Sequence, residues 1–483
     1  MLIMSRQDRE RLGLNQALEA CLCLTPQGRR LKAKHSYHGP ESRSLLETEL
    51  AAVENLAAFI KHHPAAVRQA EILLRSFKDL RGTLAGLARN RLLDLAELFE
   101  IKEAVALFHS LMKESALLDK AGLSLTAVRE VEVLLDPRSL QTSGFYLYDD
   151  YSTALASLRK ERRLIEEKLE EAGEADRPAL LVQRRDLVDR EAAEEALVRR
   201  NLSDSISPWH KELESNFETV GLLDFRLAKA HLALAWGASR PDLLDQGSVL
   251  VLEGFHHPVI SEHLVSRGAV YQRQTLTLAP GTTVLTGANM GGKSVALKAM
   301  TLSLILVHLG YFPPAEYAAV PLFDFISYSS DYLDTTRRGL STLAAELVRI
   351  REDARLAREK VGLTVIDEPF RGTNPEEAGA LIGALCRFYA GLAGSLVLAT
   401  HYRTPQGQGI RHLRLAGLVK ADLEEIIEGS GTGLGDDEAI RRIESLMDYS
   451  IEAVDGSAGP PDGAIRLARW LGLDGTILEH LED

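Results

Sequence analysis

The stretch Gly287-Ala288-Asn289-Met290-Gly291-Gly292-Lys293-Ser294 has the G-x-x-x-x-G-K-[ST] spacing of a phosphate-binding loop. Its flanks fit that reading. Residues 282–286 (TTVLT) read as a buried strand, and residues 294–309 as a helix stopped by Gly310 and by Pro313-Pro314. Glycines keep side chains clear so that the loop's backbone N–H groups can point inward at a nucleotide's phosphates, and the following helix adds its positive end. Lys293 would reach the β and γ oxygens, and Ser294 would ligate Mg²⁺. Gly287, Asn289, Met290, Gly291 and Gly292 are the other candidates for nucleotide contact.

Two more strand ends supply the rest of a nucleotide-hydrolysing site. Residues 363–366 (LTVI) form an apolar strand ending in Asp367-Glu368, 74 residues after Lys293. In phosphate-loop ATPases an aspartate so placed holds Mg²⁺, usually through water, and the adjacent glutamate can polarise the attacking water as a general base. Residues 395–400 (SLVLAT) read as the next buried strand, ending in His401, which is placed to sense the γ-phosphate. Between them, residues 339–346 (GLSTLAAE) open a helix. Ser341 or Thr342 with the later Glu346 reads as an N-cap. The sharper reading is an anion-binding helix start that reaches a γ-phosphate held by another subunit. The catalytic candidates are therefore Glu368, His401 and Ser341, and the Mg²⁺ candidates Ser294 and Asp367.

Length and composition frame this site. A chain of 483 residues suggests about three domains. No uninterrupted apolar run approaches the ~18 residues of a membrane span. Residues 1–11 are charged and lack the apolar stretch of a signal peptide. Cys21, Cys23 and Cys386 make neither a metal spacing nor a disulfide framework, and a cytoplasmic protein is expected. The net charge of −13 means that any DNA contact needs a local basic patch.

The first half is helical in pattern. Apolar residues at three- and four-residue spacing predict helices over 47–61, 64–80, 82–114 and 124–135. Residues 157–200 then alternate in charge, with a turn at 173–178, and predict two antiparallel helices forming an arm laced by salt bridges. Residues 159–200 hold 11 basic and 12 acidic side chains, which favours a solvated arm over a phosphate-gripping surface. Residues 217–236 read as another helix. From about Gly247, short β-branched runs alternate with helices, which signals a parallel sheet. The expected fold is α + α/β. A helical part (1–245, its arm about 157–200) precedes a P-loop ATPase domain with a mostly parallel sheet (246–440).

These motifs together resemble the MutS family of DNA mismatch repair ATPases. Residues 286–294 (TGANMGGKS) are close to that family's TGPNMGGKST, 367–374 (DEPFRGTN) to its DEIGRGTS, and 399–402 (ATHY) match its ATHY. Residues 340–346 are similar to its STFMVEM signature, and His257-Pro258-Val259 to the HPV segment that opens its ATPase domain. Residues 25–31 (TPQGRRL) resemble the T-x-x-G-x-R-L start of its helical core, and 146–159 the entry to its lever helices. The resemblance implies ATP and Mg²⁺ as cofactors. It alone implies that the helical part is a core and lever domain, and that 441–483 form a C-terminal helical dimerisation segment. It also implies a dimer, either a homodimer or a heterodimer with a MutS-like paralogue. Each composite site would take Asn289, Lys293, Ser294, Asp367, Glu368 and His401 from one subunit and Ser341 from the other.

The departures shape the expected target. The core-like segment begins by about residue 15, leaving no room for mismatch-reading and connector domains before it. No nuclease-like appendage follows the ATPase core. Phe370 stands where the family has glycine, and Leu343-Ala344 replaces Phe-Met. Two targets stay open. One is DNA, in repair or recombination. The other is a protein, because residues 371–375 (RGTNP) on a short chain resemble MutS-like proteins associated with reactivating cobalamin-dependent lysine aminomutase.

Overall fold

The computed structural model describes residues 1–34, 36–138, 146–287, 292–330, 342–371, 373–418, 447–454 and 477. The fold is α + α/β and divides into two compact units. One gathers Met1–Cys21, His35–Glu54 and Lys229–Asp483; the other gathers Leu22–Lys34 and Asn55–Ala228. Two N-terminal segments of the expected helical domain thus group with the α/β half.

In chain order the helices begin with α1 (Arg6–Arg11), α2 (Leu14–Glu19), α3 (Pro26–Lys34), α4 (Arg43–His62), α5 (Pro64–Arg75) and α6 (Arg81–Leu87). They continue with α7 (Leu95–Met112), α8 (Ser115–Lys120), α9 (Arg129–Leu135), α10 (Thr153–Glu171), α11 (Arg177–Ile206) and α12 (His210–Trp236). The second half adds α13 (Pro258–Ser266), α14 (Lys293–His308), α15 (Thr342–Glu359) and α16 (Pro375–Ala390).

The helical unit departs from its expected pattern in two places, each for a local reason. The continuous helix over 82–114 is broken between Leu87 and Leu95. Asn90 takes a left-handed φ of 55° there, and Asp94 starts α7 afresh through a reciprocal capping box with Glu97. The helix over 124–135 begins only at Arg129. Asn216 explains this: its side chain accepts from the Thr126 N–H and donates to the Thr126 carbonyl, each at 2.8 Å, which replaces helical bonding.

The T-x-x-G pattern near residue 25 has a physical cause. Asp224 on α12 is 1% exposed and accepts from the Leu24 N–H (2.9 Å), the Thr25 N–H (2.7 Å) and the Thr25 hydroxyl (2.7 Å). The Gly28 N–H donates to Thr25 Oγ1 at 2.8 Å. A Cβ on Gly28 would fall 2.2 Å from Asp224 Oδ2, so no side chain fits. Asp224→Ala strands three buried donors and should cost about 3 kcal/mol. Urea unfolding checks this, and a loss below about 1 kcal/mol would contradict the assignment.

The paired arm is present. Arg159 on α10 bonds Glu191 and Glu195 on α11, at 3.1 and 2.7 Å. Arg162 bonds Glu191 (2.7 Å) and its own-helix neighbour Glu166, and Arg184 reaches across to the same Glu166 at 2.9 Å. Much of the arm's positive charge is spent on its own pairing.

The α/β unit has strands β1 (Leu2–Ile3), β2 (Asp242–Leu244), β3 (Leu250–Phe255), β4 (Gln274–Leu278), β5 (Gly281–Thr286) and β6 (Tyr317–Pro321). They are followed by β7 (Phe325–Ser330), β8 (Gly362–Asp367), β9 (Ser395–Ala399), β10 (Ile410–Leu418) and β11 (Met447–Ala453). The large sheet has the order β1-β7-β8-β9-β5-β10-β11 and is parallel except for the antiparallel β10–β11 pair. A smaller sheet has the order β2-β6-β3-β4. Strands β5, β7, β8 and β9 are buried along their whole length, as expected of parallel strands covered on both faces.

Two features of this sheet were not anticipated. Met447–Ala453 lies in the segment expected to be helical, yet it is a strand whose partner is β10, 29 or more residues away in the chain. The N-terminus also joins the sheet: Leu2 and Ile3 pair with Ile326 and Ser327 of β7. Helix α1 then grips the end of β7. Asp8 accepts from the Ser330 N–H at 3.2 Å, and Arg11 donates to the Ser330 carbonyl at 3.0 Å.

Candidate nucleotide site

In open α/β sheets, ligands bind in the crevice beyond the carboxyl ends of the strands. The predicted motifs converge there, because β5, β9 and β8 are neighbours and in register, with Leu285 opposite Ala399 and Ala399 opposite Asp367. Strand β5 runs into Gly287 at φ 144°, and Gly292 at φ 78° caps α14, a left-handed position that favours glycine. Gly292 has a second constraint, since a Cβ there would come within 2.8 Å of the Tyr449 ring on β11. Asn289, Met290, Gly291 and Ser341, all candidates from the sequence, lie outside the described residues.

Lys293 opens α14, is 3% exposed and donates from Nζ to the Gly287 carbonyl at 2.6 Å. Burial lowers its pKa, and the nearby Glu368 and Asp367 oppose that shift. Asp367 ends β8 and is 8% exposed. Burial raises its carboxyl above the usual range, the adjacent Ser294 hydroxyl counters, and the neighbouring Glu368 charge adds to the rise. Its Oδ1 is buried with no hydrogen-bond partner, as is Nδ1 of His401 just past β9. Orphaned polar atoms of this kind call for an occupant. A carboxylate oxygen facing a serine hydroxyl and a buried lysine suits a phosphate-bound Mg²⁺, which dedicated all-protein cages rarely hold.

Glu368 follows with a left-handed φ of 49°, and its N–H donates to the Ala399 carbonyl at 3.0 Å. Its carboxylate is 3.4 Å from the exposed Arg371. Two residues on, Phe370 also takes a left-handed φ, 62°, while its ring is 2% exposed in the apolar core with Ile382 and Leu385. The place where phenylalanine replaces the family's glycine is therefore one that glycine suits best. Ring burial and a backbone bond offset the strain. That bond comes from Glu346 of α15, whose Oε1 accepts the Phe370 N–H at 2.9 Å. Glu346, expected to accompany an N-cap at Ser341 or Thr342, thus has its Oε1 on the loop after β8; Ser341 and the Thr342 side chain lie outside the described residues.

Sequence reasoning overlooked Tyr449 and the true partner of Glu346. Tyr449 is tied by its N–H to Gln272 and by its carbonyl to Gln274, at 2.9 and 3.1 Å. Only the constraint on Gly292 could have hinted at a neighbour, and nothing in the local pattern names it.

The strand–loop–helix, the Asp-Glu strand end and their register define a phosphate-loop nucleotide-binding domain of the kind that the motifs imply. A family model described as MutS domain V matches residues 283–413. The endonuclease MutS2 of Listeria monocytogenes serotype 4a (strain HCC23) is 26% identical over 334 residues, which are 64% of this chain and 42% of that protein. The DNA mismatch repair protein MutS of Thermodesulfovibrio yellowstonii is 29% identical over 209 residues, 42% of this chain and 24% of that protein. An endonuclease MutS2 of Levilactobacillus brevis is 29% identical over 213 residues, 44% of this chain and 26% of that protein. The chain spans less than half the length of these relatives. Residues 283–413, within the α/β unit, thus match the family's domain V, and the chain is similar over part of its length to MutS and MutS2 proteins. None of these relatives bears a name linked to aminomutase reactivation, and that alternative is left without support.

Proposed function

We propose that this chain binds and hydrolyses ATP at the carboxyl ends of β5, β8 and β9, and that the reaction drives a clamp acting on DNA in repair or recombination. The convergence of Lys293, Ser294, Asp367 and Glu368, with Asp367 Oδ1 left unpartnered, carries the proposal. Bound ATP and Mg²⁺ supply the transferable phosphoryl group and neutralise its charge. Gly287, Gly292 and the residues between them cradle the phosphates. Lys293 leaves the Gly287 carbonyl for phosphate oxygen, Ser294 and Asp367 hold the metal, Glu368 orients and deprotonates water, and His401 meets the γ-phosphate. The partner subunit, a second copy or a MutS-like paralogue, contributes Ser341. The protein acts in the cytoplasm; among the described residues no helix is long and apolar enough to cross a membrane.

The DNA target rests on the names of the relatives and is tested through the arm. Binding should be weak and salt-sensitive, with less than about tenfold preference for mismatched duplex, roughly 1.4 kcal/mol. Replacing Arg184 and Arg185 together with glutamate should flatten the salt slope by about one unit. The change is about one and not two because Arg184 is already paired with Glu166. A slope unchanged by the double substitution would remove the arm from the DNA contact. A mismatch preference above about tenfold would contradict this expectation.

A further inference from the structure

We infer that Glu346 is the positioning residue for Glu368: it fixes the strained loop after β8 and so ties the orientation of the general base to helix α15. The inference rests on the ATPase reading above and adds a residue that does not itself meet nucleotide.

Glu346 lies in the second turn of α15 and is 5% exposed. Burial raises its carboxyl above the usual range, and the Phe370 N–H opposes that rise. Burying a carboxylate costs folding free energy unless its hydrogen bonds offset it, so the bond it makes matters. What it does locally is specific. It accepts the N–H of Phe370 at 2.9 Å, and Phe370 is one of two left-handed residues that bracket Pro369. The other is Glu368 itself.

The loop is therefore held at three points. The Glu368 N–H is bound to Ala399 of β9, the Phe370 ring is anchored in the apolar core, and the Phe370 N–H is bound to α15. Releasing the third point lets Phe370 leave its left-handed conformation, and the chain at Glu368 turns with it. Ser341 immediately precedes α15 in sequence. A shift of that helix would reach Glu368 through the Glu346–Phe370 bond.

Three variants and two readouts test this. Glu346→Ala removes the acceptor, whereas Glu346→Gln keeps a carbonyl oxygen in its place. Glu346→Ala should lower kcat by about 10²-fold, because a misplaced catalytic group costs about that much, with KM for ATP and ADP affinity changed less than about threefold. Glu346→Gln should restore kcat to within about threefold of wild type. Hydrogen exchange gives the readout independent of activity: the Phe370 amide should exchange slowly in wild type and Glu346→Gln, and fast in Glu346→Ala. Wild-type kcat in Glu346→Ala, or an equal loss in Glu346→Gln, overturns the inference. Should Glu346→Ala fail to fold, Glu346→Gln decides alone, and loss of its Phe370 protection overturns it. Lys293→Ala run in parallel separates the two claims, since a wild-type protein with no nucleotide binding for Lys293 to support fails the ATPase reading and not the loop contact.

Discussion

Lys293→Ala is expected to lose nucleotide binding by more than about 100-fold, a loss of roughly 2.8 kcal/mol. Two terms act in the same direction. A buried ammonium bound to phosphate is a charge-assisted interaction of about 1.5–3 kcal/mol. Removing it also leaves Asp367 and Glu368 facing the incoming polyphosphate with less positive charge between them. Folding should not suffer in proportion. The lysine is 3% exposed and desolvated while it donates to the Gly287 carbonyl, and the cost of burying its charge is relieved by the substitution. Nucleotide affinity by fluorescence titration and thermal unfolding of the free protein separate the two effects. Unchanged affinity, or a fall in affinity that merely follows unfolding, would make Lys293 a structural residue.

Glu368→Ala should do the opposite, keeping ATP bound while turnover falls by about 10²–10⁴-fold, the usual contribution of a general base. The main chain has little reason to move, because the Glu368 N–H is secured to Ala399 and Phe370 is held two residues on. Losing the ion pair to the exposed Arg371 costs little, as surface pairs do. Gel filtration after incubation with Mg²⁺ and ATP should recover the variant with ATP and the wild type with ADP. Turnover within about threefold of wild type would transfer the role of general base to another group.

What was legible in the sequence was what a short window contains. The phosphate loop carries its glycines, lysine and serine within eight positions, and its strand and helix flank it directly, so both chemistry and fold could be read together. The Asp367-Glu368 strand end was legible for the same reason, and so were the two arm helices, with charges three and four residues apart. What was not legible depends on distant partners. Glu346 and Phe370 are 24 residues apart, Thr25 and Asp224 are 199 apart, and Asp8 reaches Ser330 across 322. No periodicity encodes such meetings. The strand at Met447–Ala453 forms because β10 offers it an edge, whereas the helix expected there was implied by the family resemblance alone. The break after Leu87 could have been found, since Asp94 and Glu97 spell a capping box in mid-pattern.

The central claim is that one site, built on β5, β8 and β9, both holds and splits ATP. Equilibrium dialysis against ATP labelled on its γ-phosphate, with and without Mg²⁺, tests it most directly. The account predicts saturable binding that Mg²⁺ strengthens, label released as inorganic phosphate by the wild type, label retained on Glu368→Ala, and no label bound by Lys293→Ala. Absence of saturable binding to the wild type, or binding and release left intact by Lys293→Ala, would contradict it.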